Sequence, residues 1–459
     1  MTFGIDDMAL YVPKLYLDIR TLAEKRDIAY EKLSKGLGLH KMAVCDAHED
    51  AATMAAEAIF ELIDRNQLNP HQIGRIYLGT ESALDGSKPT ATYAIEMVQQ
   101  KLRKNWGDDC FRHCDVVDMT FACIGAVDAF HNTMDWVVAN PEGIAIVVAS
   151  DIAKYELNST GEYTQGAGAV AMLIKAQPRL MAFNRIYGIA TESVHDFYKP
   201  RRETYVETPV FDGQYSNQCY QQRMAEALAH FRVNAEKAKL IKPGQFPALS
   251  ERWARMIFHL PYAFHAKRIY VEQFIEERKQ KGVWEADMQK YGFPNLAVIR
   301  FADQLAYQKA YNGFLKSVSD SSIYKAFIQN KLEKAHRASQ ETGNLYTASI
   351  FLALMSCLEL DHHEKAKLDG KRFGFIAYGS GSKAKVFEGI IQKGWQDVVQ
   401  KFDVFKKLEN RIELDYKVYE NLHNQCQKVA YHQESGRWGL QKIGSEGVTL
   451  GARYYYELT

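Results

Sequence analysis

Two short apolar runs in the first 175 residues, Ala145 to Ala149 and Gly166 to Ile174, and a strand pattern at Ile73 to Gly79 stand between stretches whose apolar residues recur at helical spacing. A short run without polar interruption suits a strand covered on both faces, so this alternation calls for an α/β domain. Asp115 to Met119 reads as a further strand and Thr90 to Arg103 as a helix. Cys123 to Val138 reads as a helix too, with Val127, Phe130, Met134 and Val138 on one side. In Gly166 to Ile174, sequence GAGAVAMLI, the glycines permit close backbone approach.

A second α/β set begins near Leu180, with long helical stretches at Gln218 to Ala238, Ala266 to Lys281 and Ser321 to Gln340. Arg372 to Tyr378 resembles the strand at Arg75 to Gly79 in kind, which hints at two related halves. No Pro/Gly/Ser-rich linker separates them, so the expected division is residues 1–175 and 176–459 around a shared core. Residues 267–340, rich in Lys, Glu, Gln and Tyr, read as an inserted helical surface lobe. The last 60 residues read as charged C-terminal helices ending in Arg453 to Tyr456.

With 47% hydrophobic and 25% charged residues the chain has the balance of a folded protein, not a disordered one. Lys and Arg number 57 against 56 Asp and Glu, so no basic excess exists to neutralise a phosphate backbone, and nucleic acid is not the expected partner. The apolar windows Gly143 to Ser150 and Ala348 to Leu358 fall short of the roughly 20 residues a spanning helix needs. Met1 to Ile19 carries Asp6, Asp7 and Lys14 and lacks a secretory apolar core, so a cytoplasmic location without membrane association is expected. Seven cysteines without a Cys-x-x-Cys pair suit a reducing compartment. Cys110 and Cys114 flank His113 without a second pair, and Asp361 to Glu364, DHHE, reads as a solvated turn, so no metal site is expected.

Chemistry is expected where strands end. Cys123, in DMTFACIGAVDAF, lies where a strand gives way to a helix, whose N-terminus favours the thiolate over the thiol. Its placement is that of a nucleophile, against the plain alternative of a small buried hydrophobe. Glu81 follows the strand RIYLGT as a candidate base, or as a solvated loop carboxylate. His259, in MIFHLPYAF, emerges from another short apolar run as a candidate acid or oxyanion partner. Tyr378 to Ser382, YGSGS, lacks the spacing of a dinucleotide or P-loop motif and suits a tight turn with backbone donors near a ligand. Asn344 in TGNLYTAS precedes a helix and has the residue type of an N-cap.

Together these segments resemble the 3-hydroxy-3-methylglutaryl-CoA synthase family of the thiolase superfamily, over nearly the whole chain. The resemblance runs from GIDDMALYVPKLYLD at Gly4 to Asp18 through GTESALD, ACIGA, NSTGEYTQGAGAVAMLI, HDFYKP and DGQYS to FHLP, GNLYTAS and YGSGS. It implies a thiolase-like fold of two related α-β-α-β-α halves with a helical insertion, and a homodimer. It implies acetyl transfer to Cys123, removal of a methyl proton by Glu81, and attack of the enolate on acetoacetyl-CoA. His259 would stabilise the oxygen that becomes the tertiary alcohol. Asp196, Asn344, Tyr378 and Ser380 would line the acyl site and Lys267 the CoA entrance, with no metal or redox cofactor.

The chain departs from the family pattern at Phe264, where a basic residue is frequent, and at Ile124, Ala126 and Val127 beside the cysteine. These departures keep a β-branching synthase open, acting on a β-ketoacyl group carried by an acyl carrier protein. A ketoacyl synthase of the Cys-His-Asn kind would not need Glu81. A thiolase-fold scaffold binding acyl-CoA without turnover would not need an acylatable Cys123.

Overall fold

The apolar runs pair into one mixed sheet that crosses the middle of the molecule. The computed structural model describes residues 1–200, 208–245 and 248–459. In chain order the sheet strands are β1 (Phe3–Tyr11), β2 (Ile73–Gly79), β3 (Asp115–Met119), β4 (Ile144–Ala153), β5 (Gly166–Ala176), β6 (Met181–Phe183), β7 (Gly188–Thr191), β8 (Arg255–Phe258), β9 (Arg372–Gly379) and β10 (Lys383–Ile391). They lie in the order β8-β9-β10-β6-β1-β5-β4-β2-β3, with β7 on β10. At one end β2 runs parallel to both β3 and β4, and at the other β8 runs parallel to β9. The strands between them are antiparallel.

Because successive side chains point to opposite faces, one strand feeds two cores. Ala145, Val147 and Ala149 of β4 join Val170, Met172 and Ile174 of β5 in a core shared with helices α3 (Gly125–Ala139) and α5 (Ser349–His363). Their neighbours Ile146, Val148, Ala169, Ala171 and Leu173 enter a second core under α1 (Ala51–Arg65) and α2 (Thr90–Trp106). Helix α4 (Gly213–Lys237) packs against β7 and β10 and adds Tyr220, Met224 and Phe231 to the first core. Helix α5 is buried along nearly its whole length, as a helix apolar all round must be.

Four readings change. The helix expected from Cys123 starts at Gly125, leaving the cysteine in the preceding turn. The lobe at 267–340 is built of short helices whose Phe274, Trp284, Phe314 and Tyr324 belong to the first core, so it is part of the body and not only surface. Asp361 is no solvated turn residue: it is buried at the end of α5 and paired with Arg255 at 2.7 Å and Lys334 at 2.6 Å. The expected C-terminal helices stop at Tyr416–His423, and beyond them β11 (Trp438–Ile443) and β12 (Arg453–Glu457) form a hairpin. Tyr454 to Tyr456 favour a pleated ladder over a helix. Buried Trp438 and the Tyr455 hydroxyl, 2.7 Å from Asp50, anchor that hairpin to α1.

Candidate active site

Strand β2 ends at Gly79, and Thr80 and Glu81 follow at its carboxyl edge. Cys123 sits in the turn between β3 and α3, where Ala122 holds the left-handed conformation at φ 40°. A residue with a Cβ adopts that conformation only at a cost of order 1–3 kcal/mol, so the turn is held by its surroundings. One support is Gly379 at the end of β9, where a Cβ would come within 2.7 Å of the Phe121 carbonyl oxygen. The YGSGS turn thereby rests directly on the cysteine turn.

The Cys123 thiol donates to Glu81 Oε1 at 2.8 Å, with both residues buried. Burial raises the Glu81 carboxyl to about 7, a rise helped by Asp151 and opposed by the Lys199 ammonium. Burial first, and the Glu81 carboxylate second, push the Cys123 thiol well above its ordinary range. The lowered thiol pKa expected from a helix N-terminus is therefore not found. Here the helix starts two residues later, and a carboxylate touches the sulfur.

Glu81 is fixed through its backbone. Asp151 Oδ1, near the end of β4, accepts from the Glu81 amide at 2.7 Å and from the Thr80 and Ser82 hydroxyls at 2.9 Å each. Its Oδ2 accepts from the Thr347 amide at 3.0 Å, tying this loop to the segment that leads into α5. Lys199 donates to the Glu81 carbonyl at 3.0 Å, with its ammonium 4.8 Å from the centre of the Tyr346 ring.

The motifs TQGAG and TGN meet backbone to backbone. Gly343 has φ 76°, and a Cβ there would lie 1.8 Å from the Gln165 carbonyl oxygen. This contact seats Asn344, whose Oδ1 accepts from the Tyr346 amide at 2.8 Å. The capping role expected for that residue type is not what it performs: Leu345 precedes the one-turn helix Tyr346–Ala348 and Ala348 precedes α5, and the Asn344 oxygen closes a local turn one residue upstream. Tyr346 then packs with Ala153 and Tyr155 around Cys123.

His259 leaves β8 with its amide bonded to the Ile376 carbonyl at 3.0 Å. Its Nδ1 lies 2.6 Å from Ser349 Oγ, which also accepts from the Leu260 amide at 3.2 Å. Burial lowers its pKa to about 3, so the ring is neutral at physiological pH. Tyr220 donates to the His259 carbonyl at 3.0 Å and stacks on Tyr378 at 4.4 Å between ring centres. Tyr378 donates to Asp196 Oδ2 at 2.8 Å, and the Gly381 amide donates to Asp196 Oδ1 at 2.7 Å. Ser380 lies in that turn, partly buried. Lys267 stands on a short helix with Nζ 3.2 Å from the centre of the Phe264 ring, and its partial burial lowers its pKa.

Glu81 and Cys123 thus touch, Asp196 and Tyr378 touch, and Tyr220 links His259 to Tyr378. Asp151, Lys199, Tyr220, Tyr346 and Ser349 were not singled out from sequence. Asp151 carried a signal of its own, an acid closing the apolar run IAIVVAS, while Lys199 lies within HDFYKP and Tyr346 and Ser349 within GNLYTAS.

Family models described as "Hydroxymethylglutaryl-coenzyme A synthase N terminal" and "C terminal" match residues 1–178 and 181–443. The hydroxymethylglutaryl-CoA synthase of Haloferax volcanii is 32% identical over 424 residues, covering 92% of this chain and 91% of its own. That of Enterococcus faecalis is 30% identical, with 92% and 91% covered. Among solved structures, MvaS in complex with 3-hydroxy-3-methylglutaryl coenzyme A is 28% identical, with a TM-score of 0.81 over 100% of this chain and 99% of that one. The curacin-pathway HMG synthase in complex with acetyl donor-ACP is 19% identical with a TM-score of 0.76 over 100% of both chains, a likeness of fold. These matches establish the thiolase-like fold.

Proposed function

The chain belongs to the hydroxymethylglutaryl-CoA synthase family, and from that membership we propose that it condenses acetyl-CoA with acetoacetyl-CoA and water, giving 3-hydroxy-3-methylglutaryl-CoA and CoA through acetyl-Cys123. The contact between Cys123 and Glu81 carries the reading. A thiol with a raised pKa is a poor nucleophile alone, but a carboxylate titrating near 7 at 2.8 Å takes its proton as sulfur attacks. Sulfur bonds to the acetyl carbonyl, the C–S bond of acetyl-CoA breaks, and the proton held by Glu81 passes to the departing CoA thiolate.

With the thiol acylated, the same carboxylate faces the acetyl methyl group and removes a proton from it. The enolate attacks the ketone carbon of acetoacetyl-CoA. His259, neutral and backed by Ser349, acts as a fixed hydrogen-bond donor to the oxygen that becomes the alcohol, and the methyl proton held by Glu81 passes to that oxygen, returning Glu81 to its carboxylate before hydrolysis. We assign to His259 the tautomer in which the Ser349 hydroxyl, itself accepting from the Leu260 amide, donates to Nδ1, so that Nε2 carries the ring proton. Asp196 and Tyr378 hold the YGSGS turn, with Ser380, against the acyl site. Water then cleaves the Cys123 thioester.

The reading calls on no metal or redox group and includes a homodimer in the cytoplasm. Among the described residues no helix is long and apolar enough to cross a membrane. The packing of Lys267 on Phe264 favours a second reading, in which the acceptor arrives on an acyl carrier protein. A phosphopantetheine arm lacks the adenosine phosphates of CoA and asks for fewer cations at the entrance.

The test follows loss of acetoacetyl-CoA on adding acetyl-CoA, with product mass, for the wild type beside Cys123→Ala and Glu81→Ala. Hydroxymethylglutaryl-CoA from the wild type alone supports the proposal. Acetylation of Cys123 with free acetoacetyl-CoA left intact moves the acceptor to a carrier protein.

A further inference from the structure

A chamber of about 470 Å³ opens beside Glu81 and is walled on one side by the C-terminal hairpin. Its inner end is formed by Glu81, Ala83, Ala153 and Gln165, and its outer end includes the exposed Gln441 and Lys442 of β11. Lys199, which holds the Glu81 carbonyl, also lines it. Ala153 belongs to two surroundings: it faces the chamber, and it packs in the apolar cluster of Cys123, Tyr155 and Tyr346. Its small side chain stands between the chamber and the thiol.

The last step of the proposed reaction needs such a space. Once the new C–C bond has formed, the acyl unit is tied at both ends, to Cys123 and to the thiol of the acceptor. The acceptor's arm then fills the route by which it entered. Water for the Cys123 thioester has to arrive from another side, and a single liquid water occupies only about 30 Å³. We infer that the chamber behind Glu81 is the water route for deacylation, with Ala153 and Ala83 at its inner narrowing, an inference that rests on the acetyl-Cys123 reading above. Water attacks the thioester carbonyl, a C–O bond forms and the C–S bond breaks. The water proton passes to Glu81 and from Glu81 to the Cys123 sulfur, so a thioester and water become a carboxylic acid and the free thiol.

Ala153→Val and Ala83→Phe narrow the chamber from the end of β4 and from the loop that follows β2. Rapid quenching with intact-protein mass measurement is expected to show acetylation of Cys123 within about twofold of wild type in Ala83→Phe, while in Ala153→Val, whose side chain packs beside the thiol, deacylation is read relative to that variant's own acetylation rate. Turnover falls about tenfold while the adduct carrying both thioesters accumulates. Acetyl-enzyme made without acceptor hydrolyses at the wild-type rate, because the empty entrance admits water. Two results overturn the inference: folded variants of both kinds that release product at the wild-type rate, or hydrolysis of acetyl-enzyme slowed in the same proportion as that of the condensed adduct. Failure of the parent reading is seen separately, as a wild-type protein that never forms the condensed adduct.

Discussion

The two walls of the candidate active site hold their polar groups in opposite ways. On the wall made by β2 and the Cys123 turn, a thiol and a carboxylate meet through one hydrogen bond, and burial has brought the carboxyl into the range where it titrates near neutrality. On the wall made by β8, β9 and α5, Asp196 accepts from Tyr378, Ser216 and the Gly381 amide, and His259 is kept neutral. The first wall is built to move protons and the second to hold dipoles still. Substitutions on the first should remove chemistry and leave the fold, whereas those on the second should tax binding and stability together.

Glu81→Gln gives the largest expected effect. The side chain keeps its size but loses the base, and condensation should fall by about 10³-fold. In the wild type, activity should rise with pH through about 7 as the carboxylate forms. Stability runs the other way. Because the folded carboxyl has been raised from 4.5 to about 7, the stability it contributes is complete below pH 4.5 and is lost as the pH climbs to 7. Gln does not titrate, so the variant should exceed wild type by roughly 1–3 kcal/mol at pH 8 and by little at pH 5, measured by denaturant unfolding. Equal stability at both values would mean that Glu81 ionises freely, and would erase the contrast between the walls.

Asp151→Asn comes next, and it crosses the divide. One carboxylate accepts from the loop of Glu81 and from Thr347, which leads into α5. Asn places an NH₂ against one of these donors, which should cost about 1–3 kcal/mol of stability. Condensation should drop by about 10²-fold through misplacement of Glu81. If activity falls without loss of stability, Asp151 acts on the chemistry alone and the walls are not coupled through it.

How much of this was legible in the sequence follows the same divide. The sheet could be read because β4 and β5 are buried apolar runs and β2 and β3 are short strands with clear ends, and Glu81 and Cys123 stand just beyond those ends. Asp196 and Tyr378 were singled out only through their motifs, because their meeting joins positions 182 residues apart. Asp151 and Lys199 were passed over for the same reason: each acquires its role from a partner 70 or 118 residues away. The C-terminal hairpin was misread because Gln441, Lys442, Glu446 and Arg453 are residue types common in helices, while its pairing and its anchor on Asp50 are long-range.

Tyr378→Phe tests the second wall directly. The hydroxyl donates to buried Asp196, so its loss leaves that carboxylate one donor short at a cost of about 1–2 kcal/mol. The ring still stacks on Tyr220, which should keep His259 in place. Acetylation of Cys123 should stay within about twofold of wild type while condensation falls about tenfold. Acetylation that falls as far as condensation would show that the wall of dipoles also serves the first step.

Lys267→Ala should have the smallest effect, and its size separates two uses of one cation. The ammonium lies 3.2 Å from the centre of the Phe264 ring and is partly buried, so an exposed phosphate would have to draw it off the ring before pairing with it. That exchange gives up a cation–π contact worth about 0.5–2 kcal/mol, which offsets most of what a solvent-exposed charge pair returns. The KM for acetoacetyl-CoA should therefore rise no more than about threefold, with kcat unchanged. A rise above about thirtyfold, suppressed by salt, would mean that Lys267 leaves Phe264 to meet the phosphates of CoA. The entrance would then select free CoA esters after all, and the reading in which the acceptor rides on a carrier protein would lose its support.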